Sequence, residues 1–221
     1  MALGYFVTGT NTEVGKTLVS CALLHTLRTR HTRVVGMKPV AAGATHTAHG
    51  WVNEDTQALR AASSLAVPPA LDNPYCLPDP MSPHLAARRA GQTIEVSVLW
   101  QRYQQLAALA DAVVVEGAGG FIVPLSDTET SADLAQRLAL PVILVVGLRL
   151  GCLNHALLTQ DAIAARGLTL AGWVANRVDP QMLAIDDNIG SLRQRLHAPL
   201  LASIPYLPQP DPAQIAIGLP H

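Results

Sequence analysis

The chain has 221 residues, 49% of them hydrophobic, which is enough to fill a sizeable core within one α/β domain spanning residues 1–221. A formal net charge of −1 with only 14% charged residues excludes the basic face that nucleic acid or an anionic membrane requires, leaving small molecules as the expected partners. Cys21, Cys76 and Cys152 lie far apart with no Cys-x-x-Cys pair, against a disulfide framework or structural zinc and in keeping with a reducing cytoplasm.

The N-terminus enters a strand with no basic region or cleavage site, and no apolar run reaches the length of a membrane span, so a soluble cytoplasmic protein is expected. The apolar run Tyr5-Phe-Val7 leads into Gly9-Thr-Asn-Thr-Glu-Val-Gly-Lys-Thr17 and then into a helical pattern. Strand, glycine-rich turn and helix in that order make a phosphate loop. Backbone N–H groups point inward at an anion, the helix adds its positive end, Lys16 reaches the β- and γ-phosphates, and Thr17 places a hydroxyl on the metal. Five residues separate Gly9 from Gly15 where the usual pattern has four, so the loop is a variant.

Leu18, Cys21, Ala22, Leu24 and Leu27 recur at helical spacing as far as Arg28-Thr-Arg30. Val34-Val-Gly-Met37 is a short strand stopped by Lys38-Pro39. Lys16 and Lys38 are the only lysines among fifteen basic residues, and both follow predicted strands. The C-terminal edge of an open parallel sheet is where ligands bind, so Lys38 falls beside the phosphate loop if its strand neighbours the first. Residues 41–52 read as a loop, with His46 and His49 as solvated histidines, since no third metal ligand lies near. Asn53 opens a helix containing Asp55, which on spacing alone reads as a partner for the helix dipole.

Residues 67–83 carry six prolines and form a long excursion without extended regular structure. Helices follow over about 82–89 and 96–109, with Trp100 and Tyr103 as packing residues. Asp111-Ala-Val-Val-Val-Glu116-Gly-Ala-Gly-Gly120 is a second strong signal: an apolar strand, a carboxylate at its end, then a flexible turn. A carboxylate there, facing a phosphate loop, holds magnesium or its water in P-loop proteins. The rest alternates in the same way: strand 141–146, helix to about Arg166, strand 168–175 followed by Asn176, helix 182–196, strand 200–204, and a proline-rich tail draped from Pro208. Continuous apolar strands alternating with helices predict an α/β fold, a P-loop NTPase-type parallel sheet covered by helices on both faces.

From the residues alone this is a P-loop nucleotide enzyme or switch. Lys16 and Thr17 act on phosphate, Asp55 and Glu116 are metal candidates, and Lys38 is an additional cation. A partitioning or metal-chaperone type ATPase switch is the alternative, but such switches carry a lysine early in the loop, where Thr10, Asn11 and Thr12 stand here. An enzyme that phosphorylates a weak oxyanion needs the added positive charge that Lys38 supplies.

The chain resembles the dethiobiotin synthetases of biotin biosynthesis. The resemblance runs from residue 5 to about 207 and rests on Tyr5-Phe-Val-Thr-Gly-Thr-Asn-Thr-Glu-Val-Gly-Lys-Thr17, Lys38-Pro-Val-Ala-Ala-Gly43, Asn73-Pro-Tyr75, Ser82-Pro-His84, Val115-Glu-Gly-Ala-Gly-Gly120, Pro124-Leu-Ser-Asp127, Leu150-Gly-Cys-Leu-Asn-His155 and Gly172-Trp-Val-Ala-Asn176. It implies ATP- and Mg²⁺-dependent closure of a cyclic urea on 7,8-diaminononanoate with CO₂, in a homodimer with Lys16 and Lys38 catalytic. It further implies magnesium on Thr17, Asp55 and Glu116, and nucleotide contacts from Thr12, Glu13, Val14, Gly15, Lys16, Thr17, Asp55, Glu116, Gly117, Ala118, Gly119, Asn176, Arg177, Pro205, Tyr206 and Leu207. Substrate contacts are implied for Thr12, Lys38, Ala42, Gly151, Cys152 and Asn154, the last three reaching a neighbouring subunit's site. The family often has Ser where Ala42 stands, so a hydroxyl contact is missing at that position.

Overall fold

The computed structural model describes residues 2–48 and 50–220; the expectation for His49 lies outside the described residues. Among the described residues ten strands and eight α-helices follow one another along the chain, with a short 3-10 helix at Pro212–Gln214 in the tail. The phosphate-loop unit is β1 (Leu3–Gly9) and α1 (Lys16–Arg28). It is followed by β2 (Val34–Met37), β3 (Val40–Ala42), β4 (Thr45–Thr47), β5 (Gly50–Val52), α2 (Glu54–Ala62), α3 (Pro69–Asp72) and β6 (Tyr75–Leu77). The middle of the chain holds α4 (Pro83–Arg89), α5 (Val96–Leu109), β7 (Ala112–Glu116), α6 (Ser131–Leu138) and β8 (Val142–Leu148). The last part is α7 (Cys152–Ala165), β9 (Leu170–Arg177), α8 (Ile185–Arg195) and β10 (Leu200–Ile204).

Six strands form the central sheet in the order β10-β9-β8-β1-β7-β2, and every pairing is parallel. The near-continuous apolar strands permit this, because both faces are covered. Alternate residues of one strand point to opposite faces. Tyr5 and Val7 of β1 and Ala112 and Val114 of β7 pack with Leu23, Leu24 and Leu27 of α1. Phe6, Val113 and Val115 pack on the other face with Leu99 and Leu106 of α5 and Leu134 and Leu138 of α6. A third group joins Leu144 and Val146 of β8 to Trp173 of β9 and Leu192 of α8. Trp100 and Tyr103 pack against the α5 side of this core, as expected, and Arg137 stacks over the Trp100 ring. The tail runs back along α1, where Ile217 is buried and Ile215 and Leu219 pack beside it.

The structure departs from the sequence reading at several places, the following three among them. Strands β1 and β2 are not neighbours, because β7 lies between them. The stretch 41–52 is not a plain loop: β3 pairs in parallel with β6, and β4 and β5 form an antiparallel hairpin on which His46 and Trp51 meet edge-on, with ring centroids 5.0 Å apart. The proline-rich excursion holds a helical turn and a strand of its own, α3 and β6. Among the described residues no helix is long and apolar enough to cross a membrane.

Candidate active site

Parity along the strands builds the site. In β7 every second residue faces α1, so Ala112 and Val114 place Glu116 on that face as well. The β2–β7 register pairs Met37 with Val115, so the next residues, Lys38 and Glu116, fall side by side at the sheet's C-terminal edge. The intervening strand therefore does not separate Lys38 from the phosphate loop; it inserts a carboxylate between them.

Lys38 Nζ lies 2.6 Å from Glu116 Oε1 and 2.8 Å from Asp55 Oδ2. Thr17 Oγ1, in the first turn of α1, donates within reach of both Asp55 Oδ1 at 2.7 Å and Glu116 Oε1 at 3.0 Å. Glu116 is fully buried and Lys38 is 5% exposed, whereas the Asp55 side chain is 41% exposed. Burial opposes the Lys38 charge, but Glu116 and Asp55 outweigh it and hold its pKa above the ordinary lysine value. The same balance acts on Asp55, where burial pushes the pKa up but Lys38 and the Thr17 hydrogen bond hold it below the usual carboxylate range. Asp55 sits at the start of α2, capped by Asn53, so it meets the helix dipole and also enters this cluster.

The phosphate loop curls between Gly9 and Lys16. The Thr10 N–H donates to Val145 of β8 at 3.0 Å, and Lys16 Nζ folds back to the Asn11 carbonyl at 3.1 Å. Burial, followed by the nearby charge of Lys38, lowers the Lys16 pKa to about 8 against the pull of Glu116 and Asp55. Helix α1 has no acidic residue in its first turn, so its positive end stays open to an anion. Gly15 caps that helix at φ +87°, and a Cβ there would stand 2.2 Å from Asn176 Nδ2. Only glycine fits both conditions. Asn176 comes from the end of β9 and donates to the Val14 carbonyl at 2.9 Å, bracing the loop from behind.

A cavity of about 740 Å³ opens above these groups. Asn11, Thr12, Glu13, Gly15, Lys16, Thr17, Lys38 and Asp55 form its polar floor, and Ala118, Gly119 and Gly120 edge it. Val40, Ala42, Pro80, Met81, Pro83 and Val123 give it a largely apolar wall, with Ser82 among them. The sequence reading did not pick out Val40, Pro80, Met81 or Val123. The proline run was the available signal, since chain that cannot form a long regular element is free to shape a cavity wall.

Of the other expected site residues, Val14 and Asn176 are tied to the phosphate loop, and Gly117 follows Glu116 in the turn after β7. Pro205, Tyr206 and Leu207 are exposed beyond β10, and Arg177 ends β9 with its Nη2 on the Pro180 carbonyl. Gly151, Cys152 and Asn154 open α7 and are not part of the cavity lining.

Comparison with solved structures gives the fold. The chain superposes on a ParA family ATPase from Chlorobium tepidum TLS with a TM-score of 0.56 at 15% identity, over 93% of this chain and 85% of that one. It matches the septum site-determining protein MinD of Pyrococcus horikoshii OT3, solved in complex with Mg-ADP, equally well: TM-score 0.56, 14% identity, 94% and 83% of the two chains. The P-loop NTPase-type sheet is thus shared across very different sequences. A family model described as an AAA domain matches residues 3–214. The ATP-dependent dethiobiotin synthetase of Aromatoleum aromaticum is 56% identical over 217 residues, covering 97% of this chain and 96% of the relative. The chain belongs to the dethiobiotin synthetase family. The enzyme of that name from Xanthomonas axonopodis pv. citri is 55% identical over 215 residues, and that from Ralstonia nicotianae 58% identical over 206. The dethiobiotin synthetase family and these two solved structures therefore meet in the fold, while identity above one half sets this chain with the former.

Proposed function

We propose that this chain is an ATP-dependent cyclo-ligase that closes the ureido ring of dethiobiotin on 7,8-diaminononanoate with CO₂. The observation that carries the reading is the Lys38 ammonium fixed between Glu116 and Asp55 on the floor of a 740 Å³ cavity that joins a phosphate loop to an apolar wall. One amine of the substrate adds to CO₂ and loses a proton, giving a carbamate. A carbamate oxygen attacks the γ-phosphorus and ADP leaves. The second amine then attacks the carbonyl carbon of the mixed anhydride, phosphate departs, and the ring is closed. Carbamates are weak nucleophiles that readily lose CO₂, so Lys16 and Lys38 act by holding the anion in place and offsetting its charge. The wall of Val40, Met81 and Val123 suits an aliphatic chain, and Ala42 brings a methyl group but no hydroxyl to it. Contacts to adenine fall in this reading to Asn176 and the segment Pro205–Leu207, with Arg177 among the nucleotide contacts.

Magnesium belongs to the same proposal. Glu116 Oε2 is buried without a hydrogen-bond partner among the described residues, while Oε1 of the same carboxylate lies 3.0 Å from Thr17 Oγ1, which also meets Asp55 Oδ1. Hard oxygen donors with room for waters fit this cation. Thr17, Asp55 and Glu116 would hold it, and bound there it would neutralise charge on the β- and γ-phosphates.

The proposal also includes a homodimer. Gly151, at φ +92°, opens α7 with no acidic residue in its first turn, and Leu150 beside it is 98% exposed. That positive helix end lies outside the chain's own cavity lining and would serve the substrate carboxylate in a partner's site. In a mixture of Lys16→Ala and Asn154→Glu subunits, shared sites give mixed dimers with one intact site, restoring about half the normal rate per mixed dimer. Subunit exchange without recovery contradicts the sharing.

ADP release is expected only when diamine and CO₂ are both present, and a switch-type ATPase would instead hydrolyse ATP without either. The Asp55→Asn and Glu116→Gln variants each exchange an anionic ligand oxygen for a neutral one, and each is expected to raise the magnesium concentration for half-maximal initial rate by on the order of tenfold. An unchanged magnesium requirement in both returns these residues to purely structural roles.

A further inference from the structure

Lys38 sits where the sheet stops supporting the chain. The β2–β7 ladder ends at the Met37–Val115 pair, and Pro39 has no N–H to offer. The Lys38 peptide groups are buried, and buried backbone groups without partners are costly. Both are met from one short segment. The Lys38 N–H donates to the Asp72 carbonyl at 2.8 Å, and the Lys38 carbonyl accepts from Asn73 Nδ2 at 2.7 Å. The same amide nitrogen reaches the Tyr75 carbonyl at 3.2 Å, which ties the arrangement to the start of β6.

A second link runs back toward the metal candidates. The Asp72 carboxylate is buried and receives Arg60 through two parallel bonds, Nε to Oδ2 and Nη2 to Oδ1, each 2.7 Å long. Arg60 stands in the last turn of α2, the helix whose first turn carries Asp55. Such a bidentate pair fixes orientation as well as distance. One segment therefore holds the backbone of Lys38 and, through Arg60, the helix that bears Asp55.

We propose that Asn73 is a positioning residue for Lys38: it clamps the Lys38 peptide so that the ammonium meets Glu116 and Asp55 together, and the Arg60–Asp72 pair holds Asp55's helix to the same clamp. The lysine side chain has four rotatable bonds, so its ammonium keeps two partners at 2.6 and 2.8 Å only if its Cα is held in place. A misplacement of about 1 Å at a reacting group can cost on the order of a hundredfold in rate. The catalytic consequence rests on the ring-closing reading above, whereas the clamp itself does not.

With only two lysines in the chain, ¹⁵Nζ-lysine labelling gives a spectrum of two side-chain ammonium signals, and Lys38→Ala assigns them. The near-isosteric Asn73→Leu variant is expected to broaden the Lys38 signal through faster proton exchange while the Lys16 signal is kept. It should lower kcat about a hundredfold and leave the KM for ATP within about twofold. In the Lys38→Ala background the same substitution should change the residual rate by less than about twofold, because the two residues act as a unit. An unchanged Lys38 signal, or an equal loss of rate in both backgrounds, overturns the clamp. If Asn73→Leu fails to fold, Arg60→Gln, at a partly exposed position, should move the Lys38 signal in the same direction by less, and no movement there also overturns the proposal. A wild-type protein that forms no dethiobiotin would contradict the reaction but leave the spectroscopic test of the clamp intact.

Discussion

A buried ion pair governs this structure. Lys38 and Glu116 are 5% and 0% exposed, and their charged atoms are 2.6 Å apart. Removing an ammonium or carboxylate from water costs several kcal/mol, so each group needs a close partner in that position. The pair persists because each supplies the counter-charge for the other, and because Thr17 and the half-open Asp55 spread the charge over further hydrogen bonds. The strand order β1-β7-β2 follows the same logic. Inserting β7 between the phosphate-loop strand and the lysine strand puts a carboxylate between two cations, Lys16 and Lys38, that would otherwise repel.

Much of the fold could be read from residue pattern. The six central strands are apolar runs of the length a buried parallel strand requires, and the α1, α4, α5 and α7 spans follow the predicted helices closely. The hairpin β4–β5 was not legible, because its three-residue strands are polar or exposed and carry no alternation. Helix α6 was also passed over, although it leaves a trace: Thr130 and Asp133 form a capping pair ahead of Leu134, Ala135 and Leu138. It is short and follows a loop full of turn formers, so the pattern is easily read as a continuation of that loop.

The site was legible as a set of residues but not as a geometry. Lys16, Lys38, Asp55 and Glu116 stood out because charge at the end of an apolar strand or the start of a helix is conspicuous in a chain with few charges, and Thr17 because it closes the phosphate-loop motif. Their convergence depended on sheet order, which no local pattern encodes. Asp55 shows the difficulty well: its place in the first turn of α2 satisfies a helix dipole, and only the arrangement of α2 against α1 reveals its second role between Thr17 and Lys38. Asn73 was visible only as part of a motif, because a side-chain amide bonded to a backbone carbonyl 35 positions away leaves no periodic signal. At 15% identity the ParA family ATPase retains the same fold, so the catalytic assignment rests on side chains at the strand ends and not on the architecture beneath them.

The central claim is that Lys38 and Glu116 stabilise each other as a buried pair, and a double-mutant cycle in folding stability tests it most directly. Urea unfolding should show Lys38→Met losing about 3–5 kcal/mol, since it leaves Glu116 buried without its cation, and Glu116→Leu losing less, because Lys38 keeps Asp55 at 2.8 Å. The double variant should lose less than the sum of the two and less than Lys38→Met alone, because Glu116 is then no longer left buried without its cation. Losses that simply add would mean that the two groups are stabilised independently, and would contradict the pair as the organising interaction of the site.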